Sequence, residues 1–137
     1  MPEIKKKYFG YPTRVPYKTE DEWFQTHQDT AGMASFEDGS IVLNPYSKGE
    51  INFDAVATNE AVRLWLRENK IEPYFDLTKE QVDFFNTTEG YRDNPSAMKE
   101  SILGRIISQD PSAGEFTIQQ KKFADWVLKN IKQKEKD

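Results

Sequence analysis

Asn59, Glu60 and Arg63 stand in the segment "VATNEAVRLW", Val56 to Trp65. Imidazoles at positions 59 and 63, one helical turn apart, would hold a zinc ion, and a glutamate at position 60 would act as base for its bound water. This chain keeps the glutamate and lacks both ligands. Asparagine binds zinc poorly and an arginine repels a cation. The chain has 1 histidine, His27, which cannot replace two. It has 0 cysteines, which excludes thiolate catalysis and disulfides. Ser47 has no histidine near it in sequence. The sequence therefore predicts no catalytic residue, no metal ligand and no cofactor.

What remains for Glu60 is electrostatic. The periodicity predicts a helix over 54–69. Wound at the α-helical angle, it is apolar nearly all round: Val56, Ala57, Ala61, Leu64 and Trp65 on one side, Ala55, Val62 and Leu66 on another. Such a helix is central to its fold. Glu60 falls inside the first arc, with Asn59, Arg63 and Arg67 as a polar stripe beside it. A lone buried carboxylate is costly and needs a partner. Arg63 is one turn away, and Arg105 on a later helix is another candidate. Asn59, Glu60, Arg63, Arg67 and Arg105 are thus expected to form a structural polar network. Glu60→Ala should then cost about 3 kcal/mol by stranding a charge, and Glu60→Gln less.

The elements that position these residues follow from local signals. Thr19 with Glu22 reads as a capping box opening a short helix to about Gln28. "MASFEDGSIVLNP" reads as a hairpin over 33–44, turning at Asp38-Gly39. Thr78 with Gln81 opens a second short helix. Asn94 caps another, with Pro95 at its first position. Thr117 with Gln120 opens the last, which carries Phe123, Ala124, Trp126, Val127, Leu128 and Ile131. The expected fold is mainly α: about five helices around the central one, with one small β-hairpin.

Residues 1–18 are different. Pro2, Pro12 and Pro16 bias their neighbours toward extended backbone. Between them lie Tyr8, Phe9, Tyr11, Val15 and Tyr17. The reading is an extended arm, 1–18, followed by one globular domain, 19–131, and a solvated tail, 132–137. Each docked aromatic buries about 150–250 Å². Tyr8, Phe9, Tyr11, Pro12, Val15 and Tyr17 are the expected partner-binding residues, lying over a neighbouring subunit or another protein.

Composition sets the outer bounds. The chain has 137 residues, 36% hydrophobic and 13% aromatic, enough for one modest core. Its net charge of −4 argues against a nucleic-acid binder, which would show a basic face. No apolar run approaches the roughly 18 residues of a membrane span. The N-terminal lysines precede no apolar stretch, so no secretory signal is expected.

The segments "IVLNPYS", "NEAVRLWLRE", "YRDNPSAMKESILGRIISQDPSAGE" and "TIQQKKFADWV" occur in that order. This pattern resembles a family of small proteins encoded by tailed phages and prophages. The resemblance covers residues 32–130 and departs where Gln109 stands for a glycine and Ile118 for a proline. It implies a phage context and no particular activity. The order strand, then helix with embedded glutamate, is more distantly similar to a zincin scaffold. The resulting expectation is a non-enzymatic structural or interaction protein. It would belong to a phage virion or its assembly, bind virion proteins or copies of itself through the arm, and reside in the host cytoplasm during assembly or in the particle. The alternatives are a degenerate zincin-like hydrolase scaffold without metal and a phage-encoded inhibitor of a host protein.

Overall fold

The first described segment is a tight hairpin. The computed structural model describes residues 6–88, 90–110 and 114–136, with side chains through Lys134. β1 (Lys7–Tyr8) and β2 (Tyr11–Arg14) pair antiparallel, Tyr8 opposite Tyr11. Phe9 and Gly10 join them at φ of 52° and 82°, the two positive values a two-residue hairpin turn requires. Gly10 adopts its value freely, whereas the left-handed Phe9 costs about 1–2 kcal/mol, which the rest of the hairpin must outweigh.

The hairpin lies on the central helix, α2 (Phe53–Glu68). Tyr8 and Tyr11 are 8% and 3% exposed and belong to the core. Tyr8 donates to Asp54 in the first turn of α2, and Tyr11 donates to Glu68 at its end, 2.5 Å. Burial first, and then these carboxylates, push both phenols up, Tyr8 to about 12. The expectation that the arm crosses to a partner is corrected for these rings: Tyr8 and Tyr11 fill their own core, and Phe9 packs partly buried against it. Pro12, Val15 and Tyr17 remain exposed. The prolines do not prevent pairing, because Thr13 and Arg14 supply the register. The boundary expected at residue 18 therefore vanishes from Lys7 onward. Residues 1–5 of the expected arm lie outside the described residues.

β2 runs parallel to β4 (Ser40–Leu43), with Thr13 beside Ile41 and Arg14 beside Val42. β4 pairs antiparallel with β3 (Gly32–Ser35), giving the sheet order β1-β2-β4-β3. The expected hairpin is present, but its loop is four residues, Phe36 to Gly39, instead of a two-residue Asp38-Gly39 turn. Asp38 is already engaged. It accepts from the Ser40 amide and hydroxyl at 3.1 and 2.5 Å and faces Arg14 at 3.2 Å.

Arg14 also explains a shifted helix start. α1 (Lys18–Thr26) is capped at Tyr17, whose amide donates to Glu20 at 2.8 Å. Arg14 grips that same carboxylate through two bonds of 2.7 and 3.1 Å. Glu20, tied to the sheet, closes the box in place of Glu22.

The other helices begin where local chemistry predicts. α3 (Lys79–Phe85) starts at the Thr78/Gln81 box, α4 (Pro95–Ile107) at Asn94, and α5 (Ile118–Lys136) at the Thr117/Gln120 box. Gln81 and Gln120 are buried and pair with each other through two reciprocal amide bonds of 2.8 Å. The expected solvated tail continues α5, with Lys132 and Gln133 exposed. Its backbone stays helical to Lys136, and Lys134 covers the Tyr11 ring at 4.5 Å.

α4 packs against α2 along a stripe of small residues, Ala97, Ser101 and Gly104, three or four apart. A Cβ on Gly104 would come within 2.0 Å of Asn59 Oδ1 and 3.0 Å of Asn59 Cα. The side chain could rotate away, but the backbone contact could not relax alone. Gly104→Ala should therefore destabilise by about 3 kcal/mol through overpacking. Urea denaturation should read this as a lower midpoint with an unchanged slope.

Candidate binding cleft at the sheet edge

β3 is an edge strand, and its open side faces a cleft of about 970 Å³. The Asn44 amide donates to Ala31 O at 2.9 Å, so residues 31, 33 and 35 bond to β4. Gly32 and Ala34 therefore turn their amides and carbonyls outward. Small residues here let α2 approach closely: a Cβ on Gly32 would lie 2.8 Å from Val56 Cγ1. Glu60, 6% exposed, lies beneath this edge, and the Ala34 amide donates to its carboxylate. The glutamate occupies part of the place that a neighbouring strand would take.

Arg63 stands 3.5 Å from Glu60 and 3.8 Å from Glu100, and donates to the Tyr91 hydroxyl at 3.1 Å. Arg67 makes a two-pronged contact with Glu100 at 3.0 and 3.1 Å. Burial pushes the Glu60 carboxyl up, against the Arg63 charge and the Ala34 amide, with Glu100 adding to the rise. Burial opposes the Arg63 charge too, but Glu60, Tyr91 and Glu100 outweigh it and hold the guanidinium above its ordinary range. Two atoms of this buried group have no hydrogen-bond partner among the described residues: Glu60 Oε2 and Arg63 Nε.

The walls are aromatic and polar. His27 stacks on Trp23 with ring centres 3.9 Å apart and planes at 9°, and Phe36 and Tyr91 also line the cleft. His27 Nδ1 lies 2.7 Å from the Trp23 carbonyl, at the end of α1. Trp23 and Phe36 are 40% and 49% exposed. Thr88, also on the lining, is exposed.

The expected polar network therefore divides. Glu60, Arg63 and Arg67 come together, joined by Glu100 and Tyr91. Asn59 and Arg105 do not join them. Asn59 turns its Oδ1 onto Gly104, where it has no hydrogen-bond partner among the described residues. Arg105 donates to Ser101 at 3.1 Å, meets Asp110 at 3.7 Å and lies over the Phe84 and Phe85 rings. The reason is rotation about the helix axes: Asn59 faces α4 at Gly104, and Arg105, five residues past Glu100, points about 140° away from it around α4. Glu100 was legible in principle, as the one acid on the small-residue stripe of α4. Tyr91, in a loop, had no periodic signal.

A metal would need donors converging near Glu60. Asn59 points elsewhere, and Arg63 brings a cation to that carboxylate. Among the described residues no three His, Cys, Asp or Glu side chains gather as a possible metal site, and no helix is long and apolar enough to cross a membrane. No protein-family model, curated protein or solved structure matches this chain.

Proposed function

We propose that this chain is a non-enzymatic interaction protein that holds an extended segment of a partner protein in the cleft beside β3. The observation carrying this reading is the outer edge of β3, which has no strand beside it among the described residues and lines a roomy, aromatic-walled cleft. Unpaired strand edges are templates for another chain, and main-chain bonding with side-chain pockets is a recurrent mode of peptide recognition. The partner surface thus moves from the N-terminal hairpin to the β3 edge. Val15 and Tyr17, 43% and 55% exposed, and Pro12 stay available for a larger partner. Following the resemblance to tailed-phage proteins, we assign the chain to a phage particle or its assembly, in the host cytoplasm during assembly or in the virion.

Co-sedimentation with assembled particles tests this. The tagged chain should travel with them, and Thr88→Arg, which sets a long charged side chain on the cleft lining from an exposed position, should release it at an unchanged melting temperature. Equal sedimentation of both proteins would remove the cleft from the interface. Failure of both to sediment would remove the particle.

A further inference from the structure

The net charge of −4 hides a segregation. α5 carries six lysines against two acids. We infer that the outer face of α5 binds single-stranded nucleic acid without regard to sequence. Lys121, Lys122, Lys129 and Lys132 are exposed on it, and none of them forms an ion pair among the described residues. Lys122 lies one turn before Trp126 and Lys129 one turn after, so the three share a face. Trp126 is 47% exposed, and Trp65 and Phe123 hold it edge-on at 6.1 and 5.8 Å. A fixed ring between two cations matches a nucleotide: a base stacks on the ring while phosphates on either side meet the lysines. A second ring, Tyr74, is 85% exposed. The adjacent Phe75 packs on Phe123 at 5.9 Å, which sets Tyr74 beside α5. None of these residues lines the cleft at β3.

Other anionic ligands would use less of this surface. A membrane takes up apolar side chains, and Ala124, Val127 and Ile131 of α5 are buried in the core. An acidic peptide would meet the lysines but leave the rings without a stacking partner. A duplex keeps its bases stacked on one another. α5 has no arginine to grip a base edge with two bonds, and lysines meet phosphate as point charges, so no sequence preference is expected. Asp125, exposed on the same face, weakens the field there but takes none of the lysines into a pair. The acidic remainder of the chain repels a nucleic acid elsewhere and confines it to α5.

The experiment titrates the full chain into a labelled oligothymidylate of about twelve nucleotides, within the usual site size, and reads anisotropy over a range of salt. Affinity should fall with salt at a log–log slope of about −3, as expected when four lysines meet single-strand phosphates. Lys122→Glu combined with Lys129→Glu, both at exposed positions, should weaken binding at low salt by at least about tenfold. Trp126→Leu keeps an apolar contact for Trp65 and Phe123 but loses the stacking face. It should weaken binding about tenfold with the slope unchanged, at a temperature where circular dichroism shows it folded. A duplex of the same length and a polyglutamate peptide should bind about tenfold more weakly than the oligothymidylate, because neither offers a base to the ring. Equal binding of the duplex, or an unaltered affinity of Trp126→Leu, would overturn the single-strand assignment. Polyglutamate binding as tightly would overturn it in favour of an acidic protein. No binding at about 100 µM, the weak end of non-specific association, or an affinity unmoved by the double lysine variant, would remove α5 as the binding face.

Discussion

Deletion of residues 1–14 should abolish cooperative folding. This stretch contributes β1 and β2, two of the sheet's four strands, and the buried rings of Tyr8 and Tyr11. Losing one large buried aromatic costs about 3–5 kcal/mol, and two would consume much of the roughly 5–15 kcal/mol that holds a domain together. The deletion also exposes the β4 edge, removes the Arg14 contacts to Glu20 and Asp38, and leaves Lys134 without the ring it covers. The truncated chain should show no sigmoidal thermal transition by circular dichroism. A transition within a few degrees of the full chain would mean that the hairpin is dispensable. Finer versions follow. Tyr11→Phe, which keeps the ring and removes the donor to Glu68, should cost about 1–2 kcal/mol, far less than Tyr11→Ala.

Glu100→Ala should destabilise by about 3–4 kcal/mol, the characteristic cost of removing one member of a buried ion group. Glu100 is 5% exposed and is the carboxylate shared by Arg63 and Arg67. Its loss leaves Arg63, 18% exposed at the side chain, with Glu60 and the Tyr91 hydroxyl. Glu60→Gln should behave differently, because Arg63 keeps Glu100 and the amide oxygen of the introduced glutamine can still accept from Ala34. Its effect should also depend on pH. The folded Glu60 carboxyl is raised above its unfolded value, so the folded state holds that proton more tightly. The stability Glu60 contributes is therefore full at low pH and lost as pH rises through the folded value. Measured against wild type by urea denaturation, Glu60→Gln should be near neutral at about pH 4 and gain relative stability toward pH 8. A relative loss across that range would mean that the ionised carboxylate is net stabilising here.

What could be read from the sequence was local. Helix starts at Asn94-Pro95, Thr78/Gln81 and Thr117/Gln120 were legible because a cap is satisfied by groups within three residues of it. The central helix was legible because apolar residues on every side leave it nowhere but the interior, and the burial of Glu60 followed from the same geometry. Pairings across the fold were not legible. Gln81 and Gln120 each announce a helix start, yet nothing in either segment says that their amides meet. Glu20 displaces Glu22 as the closing residue of α1 only because Arg14, fixed in β2, reaches it. Asn59, Glu60 and Arg63 are near neighbours in sequence, but the approach of α4 sends Asn59 to Gly104 and the other two to Glu100 and the β3 edge. The N-terminal segment is the clearest case. Its prolines and tyrosines say that it is extended and must be covered. Covering is a property of two surfaces, and only the folded chain, with Asp54 and Glu68 presented at opposite ends of α2, decides that the second surface is its own.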